Sequence, residues 1–118
     1  MLHCDMEYTI KIYRTETGER PFSKWLHDLS DRKIKSIILV RLERLKMGNF
    51  GIAEPVGGGV YELKFYIGPG YRVYFAKVGF DIVLMCCAGD KKTQPKDINK
   101  AKKYYVDYQR RTAEGSYD

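Results

Sequence analysis

The residues able to do chemistry gather in the second half of the chain. In Val60 to Tyr66 the side chains Tyr61, Leu63 and Phe65 alternate with Glu62, Lys64 and Tyr66, and in Tyr71 to Val78 Val73 and Phe75 alternate with Arg72 and Tyr74. Successive side chains of a strand point to opposite faces. If the apolar set faces a core, then Glu62, Lys64, Tyr66, Arg72 and Tyr74 share an open face. An apolar run from Ile82 ends in Ala88, Gly89, Asp90, Lys91 and Lys92, which adds two lysines at the edge of the same sheet. Lys64 and Arg72 on such a face can hold a phosphate while Tyr66 or Tyr74 stacks a base, as binding of single-stranded RNA usually requires. The plainer reading is that an antiparallel sheet shows water one polar face, where Lys, Arg and Tyr are ordinary occupants.

Other chemistries find little support. The two histidines, His3 and His27, stand near the start and in an early helical segment, which disfavours a histidine-centred site or a Ser-His-Asp triad. Cys4, Cys86 and Cys87 are an odd number with two adjacent in an apolar run, so they form neither a disulfide framework nor a zinc site. Cys86 and Cys87 read as reduced core thiols. Glu62 and Asp90 are isolated acids amid lysines, a poor cation site, and no metal or other cofactor is expected. Gly57, Gly58 and Gly59 match no phosphate-binding motif and read as a flexible entry to a strand.

The 118 residues fit one domain, with a core from residue 7 to residue 111 and a frayed tail over residues 112–118. Hydrophobic residues at 44% supply a core, and 21 Lys plus Arg against 15 Asp plus Glu leave +6, which biases partners towards polyanions. Residues 90–111 hold eight of the cations against three aspartates, a net +5. No apolar run reaches membrane-spanning length and the N-terminal stretch lacks the apolar region of a signal peptide, so a cytoplasmic protein without membrane partners is expected.

The elements that must position the cluster follow from periodicity. The pattern predicts a strand over Glu7 to Arg14, a short helix from Pro21 carrying Phe22, Trp25, Leu26 and Leu29 on one face, and a second helix capped by Ser30 or Asp31. In the second helix Ile34, Ile37, Ile38, Leu42 and Leu45 form an apolar stripe, and Gly48 ends it. Asn49 to Gly59 reads as a loop. A hairpin turns at Gly68, Pro69 and Gly70, and a last strand, Ile82 to Ala88, is apolar enough to lie inside the sheet. Thr93 or Gln94 caps a third helix that ends near Arg111, with Ile98, Ala101, Tyr105 and Tyr108 inward and Lys96, Lys100 and Lys103 on a solvent face. The result is an α+β fold in the order β-α-α-β-β-β-α, an antiparallel sheet with helices on one face.

Three blocks, GVYELKFY, GYRVYF and GDKKTQPKDINKA, occur in that order. With them the chain resembles the RelE/ParE superfamily of bacterial toxin-antitoxin systems, and within it the HigB-like "addiction module killer protein" branch, over roughly Glu7 to Arg110. The resemblance implies a RelE-like twisted antiparallel sheet with helices on one side. It also implies a type II toxin: a ribosome-dependent, metal-independent mRNA endonuclease (mRNA interferase) that inhibits translation. A cognate antitoxin encoded nearby, a helix-turn-helix protein in the simplest case, would neutralise it. In that chemistry the ribose 2′-OH attacks the adjacent phosphate, which needs a base, cations for the phosphorane and an acid for the departing oxygen. Carried over by motif, Arg72 carries phosphate charge, Lys64 is base or second clamp, and Lys91 is acid or clamp, with Tyr74 next in rank. Glu62, Tyr66, Lys92 and Gln94 would contact substrate, and Glu62 is a rival base or a structural partner of Arg72. Lys96, Lys100 and Lys103 would grip the ribosome. Lys64 stands where relatives more often carry arginine, which keeps the charge but loses the bidentate fork; beside two other cations it could lose its proton more readily and act as base. The alternatives are a ParE-like toxin that inhibits DNA gyrase by protein contact, and an inactive antitoxin-binding relative.

Overall fold

Tyr8 to Tyr13 is rich in β-branched and aromatic residues, and its centre forms β1 (Thr9–Ile12) in a computed structural model that describes residues 7–117. His3, Cys4 and the last residue of the tail, Asp118, lie outside the described residues. Pro21 opens α1 (Pro21–Asp28), where its missing N–H costs nothing and its fixed φ suits the helix. The cap of α2 (Arg32–Lys46) is Asp31, whose carboxylate accepts from the backbone N–H of Lys33 at 2.9 Å and of Ile34 at 3.3 Å.

Four more strands follow, β2 (Glu54–Gly57), β3 (Val60–Lys64), β4 (Arg72–Val78) and β5 (Ile82–Gly89), and then α3 (Gln94–Ala113). They make an α+β fold on one five-stranded sheet in the order β1-β5-β4-β3-β2. Among the described residues, no helix is long and apolar enough to cross a membrane.

Three features depart from expectation. The sheet is mixed, because β1 runs parallel to β5 while all other pairs are antiparallel. Alternation along a strand fixes its faces but carries no information on a neighbour's direction. The segment expected to be a loop contains β2, an edge strand in which Pro55 pairs with Tyr61; an edge tolerates proline because one of its sides forms no ladder bonds. The helices also cover both faces rather than one. Phe22 of α1 and Ile38, Leu42 and Leu45 of α2 pack with Leu63, Phe65, Val73, Phe75, Val83 and Met85. On the other face Ala101 and Tyr108 of α3 pack with Val60, Tyr74, Ala76, Leu84, Cys86 and Cys87. A sheet buried on both sides needs apolar residues at consecutive positions, and β5 (IVLMCCAG) supplies them.

A bulge in β5 adjusts this alternation. Tyr74 pairs with Cys87 but Phe75 pairs with Met85, so Cys86 has no partner and both cysteines join the α3 side. Burial pushes the Cys87 thiol up to about 12 and that of Cys86 higher, so both stay protonated, in keeping with core thiols.

The tail is docked rather than frayed. Tyr117 is buried against Tyr13 and Tyr108, its hydroxyl accepts from the backbone N–H of Arg14 at 2.9 Å, and the Arg111 guanidinium lies over its ring. Buried Arg111 donates to Asp107 at 2.7 Å and to the Arg14 carbonyl at 2.9 Å. Burial raises the Asp107 pKa, but hydrogen bonds from Tyr13, Arg111 and Arg110 outweigh it and hold the carboxyl below its ordinary value. Its contribution to stability is therefore complete above the ordinary carboxylate pKa of about 3.9 and is lost as pH falls through the depressed folded-state value. An Asp107→Asn variant should be less stable than the wild type at neutral pH, and the gap should narrow on acidification below about pH 4. Urea unfolding along a pH series checks this; a gap that is constant with pH would remove Asp107 as its source.

Candidate functional site

The pairing register gathers the cations. Lys64 of β3 lies opposite Arg72 of β4, and Arg72 lies opposite Gly89 at the end of β5, from which the chain continues directly into Asp90, Lys91 and Lys92. The Lys91 N–H bonds to the Pro69 carbonyl at 3.4 Å, which ties this loop to the β3–β4 hairpin turn. Gly70, with φ +75°, stands between the two cationic residues. A Cβ there would come within 3.2 Å of Arg72 Nη1 and 3.5 Å of the Lys91 Cβ. A side chain at position 70 would thus be strained and would fill the space between Arg72 and Lys91.

A buried carboxylate lies beneath this group. Glu62 is 3% exposed, and its Oε2 accepts from Gln94 Nε2 at 2.7 Å and from the Tyr74 hydroxyl at 3.1 Å. Arg72 Nε lies 3.4 Å from the same oxygen and Lys64 Nζ 3.9 Å from Oε1; Lys64 also reaches Glu54 of β2 at 3.5 Å. Arg72 Nε is close enough for ion pairing but is buried without a hydrogen bond of its own, while Nη1 donates to the Gly70 carbonyl at 2.8 Å. Glu62 therefore has a ready physical account: it offsets the charge of two cations and fastens α3 to the sheet through Gln94.

The face expected to be open is largely covered by α3. Arg72 is 9% exposed and Tyr74 0%, whereas Lys64 is partly exposed and Tyr66 is 79% exposed. Tyr74, expected beside the reacting groups, is out of reach of any ligand on the surface, and burial followed by the Glu62 charge pushes its pKa well above the ordinary phenol value. Glu62 is likewise enclosed, and its Oε2 already accepts from Gln94 and Tyr74, which favours the structural role over that of a rival base. Gln94 is engaged with Glu62 rather than turned outwards. Lys91, Lys92, Lys96, Lys100 and Lys103 are all exposed, and Tyr66 remains free for stacking.

Two contributors carried no visible signal. Glu54 was hidden in a segment that composition marks as loop, and Gly70 read as turn geometry only. Thr93 and Asp97 secure the start of α3: the Thr93 hydroxyl donates to the buried Asp97 carboxylate, and the Asp97 N–H returns to the Thr93 carbonyl at 2.9 Å. Gly89 makes room for that pair, since a Cβ there would sit 1.8 Å from Asp97 Oδ2.

Comparison with known proteins gives one informative likeness. No family model matches the chain. A Haemophilus influenzae protein described as "Uncharacterized protein" is 43% identical over 94 residues, which cover 80% of this chain and 91% of that one. At that identity and coverage, the chain belongs to the same family as this Haemophilus influenzae protein.

Proposed function

We propose that the chain is the toxin of a type II toxin-antitoxin system, a HigB-like member of the RelE/ParE superfamily that cuts mRNA on the ribosome without a metal ion. The observation that carries the reading is the approach of Arg72 Nη1 and the Lys91 Cβ to the bare Cα of Gly70, with Lys64 of β3 paired opposite Arg72 of β4. A phosphate seated there would meet the guanidinium edge on one side and the lysine on the other. The 2′-oxygen bonds to phosphorus as the bond to the 5′-oxygen breaks; one proton leaves the 2′-OH and one reaches the departing oxygen. Arg72 and Lys91 offset the charge of the phosphorane, Lys64 serves as base or second clamp, Lys91 doubles as acid, and exposed Tyr66 stacks a neighbouring base. Lys92 extends the phosphate track. Lys96, Lys100 and Lys103 continue it along α3 towards ribosomal RNA, and a cognate antitoxin is the natural partner.

Induction in a bacterial host tests the reading. Wild-type protein should arrest growth and leave discrete cuts in mRNA, mapped by primer extension. Lys64→Ala and Lys91→Ala should each lower cleavage by about a hundredfold or more, the scale of losing one donor to a transition-state anion. Their side chains are partly or fully exposed, so the urea midpoint should stay near that of the wild type. Purified protein should cut naked RNA weakly, with or without EDTA, because the ribosome supplies in-line geometry. Arrest that survives both substitutions would overturn the assignment. The burial of Arg72 beside Glu62 favours one competitor, a ParE-like toxin that acts by protein contact. Growth arrest with intact mRNA and inhibited gyrase supercoiling would establish that competitor instead.

A further inference from the structure

The face of α2 opposite the core should be polar throughout, yet exposed apolar side chains interrupt its cations. Among the described residues eight large hydrophobic side chains are exposed, and four of them belong to α2 or its cap: Ile37, Leu39, Val40 and Met47. Ile37 was expected in the core stripe, but Ile38, Leu42 and Leu45 take the sheet side and turn Ile37 outwards at 38% exposure. Ile37, Val40 and Met47 follow at steps of three and seven and so form one ridge with Lys33 and Arg44. A shallow groove of about 360 Å³ runs along it, lined by Ser36, Ile37, Val40, Arg41 and Arg44.

Charge narrows the occupant. The helix carries Arg32, Lys33, Lys35, Arg41, Arg44 and Lys46 against Glu43 alone. None of the six forms an ion pair among the described residues. A second copy laid on this ridge would bring like charges together. RNA would satisfy the cations but leave Ile37, Val40 and Met47 idle, because aliphatic groups offer no stacking plane. We propose that this ridge docks an acidic amphipathic helix of another protein, its apolar side on Ile37, Val40 and Met47 and its carboxylates on Lys33, Arg41 and Arg44. Ridge-and-groove packing between helices suits residues at this spacing, and opposite charges at the rim set the pairing. The inference rests on α2 alone and does not depend on nuclease activity.

The test is selection from a displayed library of randomised helical peptides of about 20 residues, long enough to hold a helix, against the full chain. Recovered peptides are then measured by fluorescence polarisation. They should be rich in Asp and Glu with apolar residues at helical spacing. Binding should weaken about tenfold or more in Ile37→Glu/Val40→Glu and in Lys33→Glu/Arg44→Glu, two exposed pairs whose folding is checked by circular dichroism. Recovery of basic or uncharged binders, or of acidic binders indifferent to both variants, would overturn the proposal. So would RNA oligonucleotide binding lost only in Lys33→Glu/Arg44→Glu, which marks a nucleic-acid surface, or a dimer in sedimentation abolished by Ile37→Glu/Val40→Glu, which marks self-association.

Discussion

Glu62→Ala should cost the protein about 3–5 kcal/mol, the penalty for removing one partner from a buried ion pair. The substitution leaves the Tyr74 hydroxyl and the Gln94 amide without their acceptor, and it strands Arg72, whose Nε is already buried without a hydrogen bond. The loss comes from the groups left unmatched more than from the attraction removed. Arg72→Ala should destabilise for the mirror reason, since Glu62 would keep only the more distant Lys64, at 3.9 Å, as a cation. The double variant should then lose less than the sum of the two single losses, by about 1 kcal/mol or more, because neither charge remains to be stranded. Urea unfolding of the four proteins measures the cycle, and strictly additive losses would show that the pair does not interact. The cycle also bears on mechanism. Under the nuclease reading, loss of activity in Arg72→Ala would mix unfolding with the loss of a phosphate contact, so Lys64 and Lys91 would be the cleaner probes of cleavage.

Residues near one another in sequence gave themselves away. Pro21, Asp31, Gly68 to Gly70 and the strand alternation mark element ends and faces through local steric and hydrogen-bonding preferences, and the elements sit where those preferences put them. What stayed hidden depends on contacts between distant segments. Lys64, Arg72 and Lys91 were recognisable as a group because strand pairing makes them neighbours. Their burial was not, because it depends on which face α3 takes. A signal for that existed: β5 is apolar at nearly every position, and β4 places Tyr74 and Ala76 on the supposed open side, a pattern that calls for cover on both faces. The direction of β1 and the pairing of β2 had no such signal. Neither alternation nor composition encodes which strand a neighbour is, and Pro55 with the glycines around it pointed towards a loop. Tyr117 shows the same limit, since one aromatic residue in a polar tail reveals its docking only when Tyr13, Tyr108 and Arg111 are seen around it.

Gly89→Ala should be among the most damaging single-methyl additions in the chain. The added Cβ would lie 1.8 Å from Asp97 Oδ2 and 2.7 Å from Thr93 Oγ1. These atoms are not flexible tips: Asp97 is buried in the first turn of α3, and its carboxylate accepts from the hydroxyl of Thr93, the N-cap of that helix. Relief therefore requires the start of the helix to lift from the sheet, and overpacking of this kind costs about 1–3 kcal/mol, with the upper end expected here. The same displacement pulls Gln94 from Glu62 and shifts the Asp90 to Lys92 loop that holds Lys91 beside Gly70. Under the nuclease reading activity should then fall further than stability alone accounts for, since a misplacement of about 1 Å can cost a hundredfold in rate. Hydrogen exchange should show faster opening in the first turn of α3 while β3 and β4 stay protected. Adding Asp97→Ala to Gly89→Ala removes the nearer of the two groups that the methyl strikes, so the double variant should be more stable than Gly89→Ala. A double variant less stable than Gly89→Ala would mean that strain in β5, not the clash with α3, makes glycine necessary at position 89.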